Sequence, residues 1–106
     1  MKIVQSEFDR GALASKSDIA AGRPRLYWQT RGRWGEYLTQ LMAERFGVVV
    51  EHTSDLTNAA KLSFEAGYNQ TTRLHIDGQF GHGQYDAAVQ EVNQFRMDYY
   101  RQLGFG

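Results

Sequence analysis

Trp34-Gly35-Glu36-Tyr37-Leu38-Thr39-Gln40-Leu41-Met42-Ala43-Glu44-Arg45-Phe46-Gly47-Val48-Val49-Val50-Glu51-His52 is the stretch that decides the fold class. Tyr37, Leu38, Leu41, Met42 and Phe46 recur at three- and four-residue steps, which places them on one face of a helix. Glu36 early and Arg45 late suit the helix dipole. Gly47 supplies a stop, because glycine accepts the left-handed backbone that closes a helix. Three consecutive valines then read as a short buried strand, over 48–52 with its flanks. A helix, a glycine and a strand in that order predict a helix-rich α+β domain with a small sheet.

Downstream, the period is strongest between Gln84 and Leu103, where Tyr85, Ala88, Val89, Val92, Phe95, Tyr99 and Leu103 form one stripe. The sequence predicts a long amphipathic C-terminal helix that packs on the sheet and organises the core. Burying its larger apolar members is worth roughly 1.5–3 kcal/mol each before entropy is charged. Residues 54–66 read as a helix capped by Ser54 or Asp55, although Lys61–Ala66 also alternates like a strand. For 69–80 the four-residue steps Tyr68, Thr72, Ile76 and Phe80 favour a short helix, against a hairpin turning at Asp77-Gly78. Residues 1–32 show no sustained period and read as an irregular, partly mobile segment. Within it Met1–Val4 starts a strand, Ser17–Gly22 forms one capped turn, and Leu26–Trp28 is a second strand entered through Pro24.

With 106 residues, 42% hydrophobic and 23% charged, the chain matches a single globular domain rather than a disordered one. Twelve basic and twelve acidic residues give a formal net charge of zero. Bulk electrostatic attraction to nucleic acid or anionic lipid is therefore not expected, while a local basic patch is. No cysteine is present, which excludes disulfides, thiolate nucleophiles and Cys-ligated metal sites. No apolar run approaches the ~20 residues of a membrane span. Met1–Glu7 lacks the apolar core of a secretory signal, so the expected location is cytoplasmic.

Chemistry is concentrated in Arg23-Pro24-Arg25-Leu26-Tyr27-Trp28-Gln29-Thr30-Arg31-Gly32-Arg33-Trp34. Arginine forks chelate phosphate or carboxylate, and aromatic faces stack on bases. Arg23, Arg25, Trp28, Arg31, Arg33 and Trp34 are thus candidate ligand contacts for nucleic acid or another anion. The competing reading has the aromatics anchored in the core and the arginines paired with Glu7, Asp9, Asp55 or Asp86; neutrality favours it. Nucleic acid is a possible partner, not the favoured one.

His75, Asp77 and His82 are metal-ligating types, but on a helix residues 75 and 77 diverge by about 200°, so no metal is expected. Gly78, Gly81 and Gly83 precede the last helix without the order of a dinucleotide fingerprint and read as a loop. No nucleophile elbow or helically spaced carboxylate pair is found, and no cofactor is expected. A cleft near Tyr68 and His75, with Asn69 and His82, is a third candidate for a small ligand or a small enzyme. Met97, Tyr100 and Phe105 lie off the core stripe of the last helix and are the candidate interface of a homodimer. The leading expectation is a non-catalytic binding module, homo-oligomeric and soluble. In general style, and through no motif, a small domain with these properties resembles the cassette and accessory proteins of mobile elements, and nothing is transferred from that likeness.

Overall fold

The computed structural model describes residues 2–29, 32–53 and 58–104. Four helices and two strands follow in the order α1 (Gln5–Ala20), β1 (Arg25–Trp28), α2 (Gly32–Phe46), β2 (Val49–His52), α3 (Ala59–Phe80) and α4 (Gln84–Gln102). The fold is α+β and helix-rich, with a long C-terminal helix and a two-stranded parallel sheet. β1 and β2 pair in register Arg25↔Val49 to Trp28↔His52, and α2 is the crossover that a parallel pair requires.

α2 ends as its sequence directs. Gly47 takes φ +67°, its N–H donates to Ala43 O at 3.0 Å, and Val48 N–H donates to Met42 O at 3.2 Å. The five-to-one bond at a left-handed glycine is the αL cap, and it turns the chain straight into β2. Leu38, Met42 and Val48 are almost completely buried, together with Leu26 of β1, Val50 of β2 and Ile76 of α3. The core therefore centres on the β1–α2–β2 unit. α4 adds only Ala88 and Val92 as fully buried residues, while Leu103 is 53% exposed. The expectation that α4 organises the core is corrected accordingly. It is a peripheral helix, with Phe95 stacked on Tyr37 of α2 at 4.4 Å.

The largest departure is α1. Residues 5–20, expected to be irregular, form a 16-residue helix laid parallel to α3, and 2–4 are not a strand. Val4 N–H donates to Ser63 Oγ at 2.8 Å near its start, and Ser15 and Thr72 share a buried 2.8 Å hydroxyl bond further along. The two helices touch backbone to backbone at Gly11 and Gly67. A Cβ on Gly11 would sit 1.9 Å from Phe64 O, and one on Gly67 would sit 2.0 Å from Phe8 O. Buried glycine and serine carry this contact, so the apolar period that marks other helices is missing.

α3 also differs in extent. The two helices expected over 54–66 and 69–80 are one helix of 22 residues, capped by Asn58, whose Oδ1 accepts from Lys61 N–H at 2.8 Å. The Ser54 or Asp55 cap lies outside the described residues. Asp77-Gly78 continues the helix rather than turning a hairpin, and Asp77 Oδ1 accepts from Tyr85 N–H in the first turn of α4.

One side chain seals the outer edge of β1. Asn69 Oδ1 accepts from Tyr27 N–H and Asn69 Nδ2 donates to Tyr27 O, both at 2.8 Å, so an amide stands where a third strand would pair. Asn69→Ala should cost about 2 kcal/mol, at roughly 1 kcal/mol per hydrogen bond. The check is a lower urea midpoint with an unchanged m value.

Candidate functional site

Alternation along β1 divides the arginine- and tryptophan-rich segment between two faces. Leu26 and Trp28 point to the core, whereas Arg25 and Tyr27 point to α3. Trp28 packs against the core and directs its indole N–H at Tyr85, whose phenol burial pushes upward in pKa. It has a structural role.

Arg25 belongs to a polar network that ties four elements together. Its guanidinium donates to Asp18 Oδ2 at 2.8 Å and to Tyr68 Oη at 3.3 Å, and reaches Glu51 Oε1 at 3.4 Å. Tyr68, 1% exposed, donates its hydroxyl to the same Asp18 oxygen at 2.5 Å. Burial, then the bond to Asp18, pushes the Tyr68 phenol up to about 12. The Tyr68 hydroxyl, then Arg25, holds the Asp18 carboxyl below its ordinary 3.8. Asp18, Arg23 and Arg25 line a small cavity of about 170 Å³. Since Asp18 and Glu51 already answer Arg25, this corner is neutral and suits a structural tie.

The sign of its pH dependence follows. A carboxylate with a depressed folded pKa stabilises the fold above its unfolded pKa, and that stability is lost as pH falls through the folded value. Asp18→Asn should therefore lower the melting temperature at neutral pH. The gap to wild type should close on acidification below about pH 3.8, as the wild-type carboxyl takes up its proton. Melting curves across that range check it.

Gln29 and Gly32–Trp34 lie at the carboxyl edge of the parallel sheet, where open α/β sheets place their ligands. β1 ends at Trp28, and α2 begins at Gly32 with φ +69° and no acid in its first turn. α4 runs antiparallel to α2, which brings Arg96 over Trp34 with Cζ 5.4 Å from the ring centroid. Gln29, Trp34, Arg96 and Tyr100 line one open cleft of about 420 Å³. Trp34 is half-buried, anchored against the core, and Arg33 beside it is exposed.

Of the sequence candidates, Trp34 and Tyr100 meet here. Met97, 57% exposed, is on the same end of α4, and Arg33 starts α2. Arg23, Arg25 and Trp28 do not line the cleft. Arg31 and Phe105 lie outside the described residues. Sequence reasoning missed Arg96 and Gln29. Arg96 carried a usable signal, one helical turn before Tyr100, but only the antiparallel α2–α4 packing brings it to Trp34.

The cleft expected near Tyr68 and His75 is differently composed. Between α3 and α4, Asn69, Arg73, Asp77, His82 and Tyr85 line a depression of about 540 Å³. Tyr68 and His75 are not on it, and Asn69, Asp77 and Arg73 are engaged with Tyr27, Tyr85 N–H and Asp86. Among the described residues, no three His, Asp or Glu side chains come together as metal ligands, and no helix is long and apolar enough to cross a membrane. Comparison with known proteins finds no family model, no curated relative and no solved structure that matches the chain.

Proposed function

We propose that this chain is a non-catalytic binding module that engages its partner through the face built by the start of α2 and the end of α4. The observation that carries this reading is the open cleft in which Gln29, Trp34, Arg96 and Tyr100 converge from three segments. Tryptophan, tyrosine and arginine are the residue types that dominate binding energy when desolvated. The absence of cysteine suits a reducing cytoplasm, where we place the protein.

A thermal-shift screen tests the reading, because a ligand selective for the native state raises the melting temperature. Inorganic phosphate, mononucleotides, short oligonucleotides and an acidic peptide form the probe set. At least one probe should stabilise wild type and fail to stabilise Tyr100→Ala. Stabilisation equal in both would place binding elsewhere.

Self-association is a second reading with its own observation. α4 runs on past the start of α2, and Met97, Tyr100 and Leu103 on that overhang are 57%, 40% and 53% exposed. The radius of gyration is 14.6 Å, above the ~13 Å of a compact domain this size. Twofold pairing would cover the overhang. Sedimentation should show a dimer that Met97→Glu dissociates, and a strict monomer at high concentration rejects this reading.

A further inference from the structure

We infer that the α2–α4 face binds a nucleotide unit, in which a phosphate meets Arg96 and Arg33 and the attached base stacks beside Tyr100. This rests on the binding-face reading above and names its ligand.

The pairing of the arginines carries the inference. Arg10, Arg25, Arg45, Arg73 and Arg101 each hold an acid: Glu7, Asp18, Glu91, Asp86 and Asp98 respectively. Among the described residues, Arg23, Arg33 and Arg96 form no ion pair; Arg23 lines the separate cavity beside Asp18, whereas Arg96 lies over Trp34 and Arg33 precedes Trp34 in the first turn of α2. In a chain of zero net charge, two uncompensated guanidinium groups beside one aromatic cleft are a localised demand for an anion. The helix end they flank adds to it, since α2 has no acid in its first turn.

The lining favours a phosphate joined to a base over a bare anion. A guanidinium resting on an indole keeps its in-plane N–H groups for phosphate, and its own plane and the Tyr100 ring present stacking surface. A cleft of about 420 Å³ is of ligand size. The overall neutrality limits the site to one or two phosphates, so salt sensitivity is shallow. For single strands each neutralised phosphate contributes a log–log slope of about −0.7, giving roughly −1.4 for two.

Fluorescence anisotropy of a labelled oligothymidylate, titrated at several low salt concentrations, tests the inference, with unlabelled thymidine monophosphate and inorganic phosphate as competitors. Wild type should bind with a slope near −1.4, and Arg96→Gln should reduce it by about 0.7. Tyr100→Ala should weaken binding roughly 5- to 100-fold through lost stacking, whereas Tyr100→Phe should restore it. All three substitutions are at exposed positions, so folding is retained and circular dichroism verifies it. Competition by the monophosphate as strong as by unlabelled strand identifies a free nucleotide as the source; competition by strand alone identifies nucleic acid. Either supports the chemistry. Absence of binding at low salt, or binding unchanged in Arg96→Gln and Tyr100→Ala, overturns it. If an acidic peptide then stabilises wild type and not Tyr100→Ala, the face is a protein site and only the ligand assignment has failed. If no probe does, the binding-face reading falls with it.

Discussion

Gly67→Ala should lower the melting temperature by more than roughly 10 °C, although alanine is the better helix former. The new methyl would sit 2.0 Å from the carbonyl oxygen of Phe8 and 3.1 Å from its Cα, and both are backbone atoms that no rotamer change can move. α1 and α3 must separate, which opens the buried Ser15–Thr72 bond and the Val4–Ser63 bond. Overpacking of well-fitted contacts costs typically 1–3 kcal/mol, and a backbone collision lies at the upper end or beyond. Gly78→Ala is the control on the same helix. Nothing lies within 4 Å of its added Cβ, so it should be neutral or stabilise by roughly 0.5–1 kcal/mol. Opposite signs for one chemical change on one helix distinguish a tight helix crossing from general intolerance of α3. Differential scanning calorimetry on the two variants measures both.

Ile76→Ala carries the second large effect. Ile76 is fully buried in the cluster of Leu38, Met42, Val50 and Val92, and removing its side chain should cost about 2–5 kcal/mol. Leu103→Ala should change stability by less than about 0.5 kcal/mol, because Leu103 is 53% exposed at the end of α4. Had α4 organised the core, as its stripe suggests, the order would be reversed. Denaturant unfolding of the pair decides between the two pictures.

That contrast shows what periodicity reveals and what it does not. The α2 stripe, the Gly47 stop and the valine strand were legible because each is a local pattern with a local cause. α4 was legible as a helix too, since its spacing repeats over five turns. Its place in the molecule was not, because amphipathicity shows that a face can be buried and not how much of it is. α1 went unseen for a different reason. Its packing face uses Gly11 and Ser15, residues that read as loop when considered singly, and close backbone approach leaves no apolar signature. The two middle segments are one helix, α3, within which Asn69 uses its amide on Tyr27 of β1, a tertiary contact that no local pattern shows.

The candidate site was half legible for similar reasons. The density of arginine and tryptophan over 23–34 marked the region, but strand alternation sends Arg25 toward Tyr68 and Trp28 into the core. Only the end that enters α2 reaches the cleft. Arg96, sixty-two positions from Trp34 in the chain, is joined to it by tertiary packing alone.

Amide chemical-shift mapping with thymidine monophosphate and a short oligothymidylate tests the proposed face most directly. Perturbations should cluster at residues 32–35 and 96–100, with the Trp34 indole among the largest, and should vanish in Arg96→Gln. A map centred on Asn69, Arg73 and His82, or on Asp18 and Arg25, would contradict the account, as would unmoved spectra for both probes at low salt.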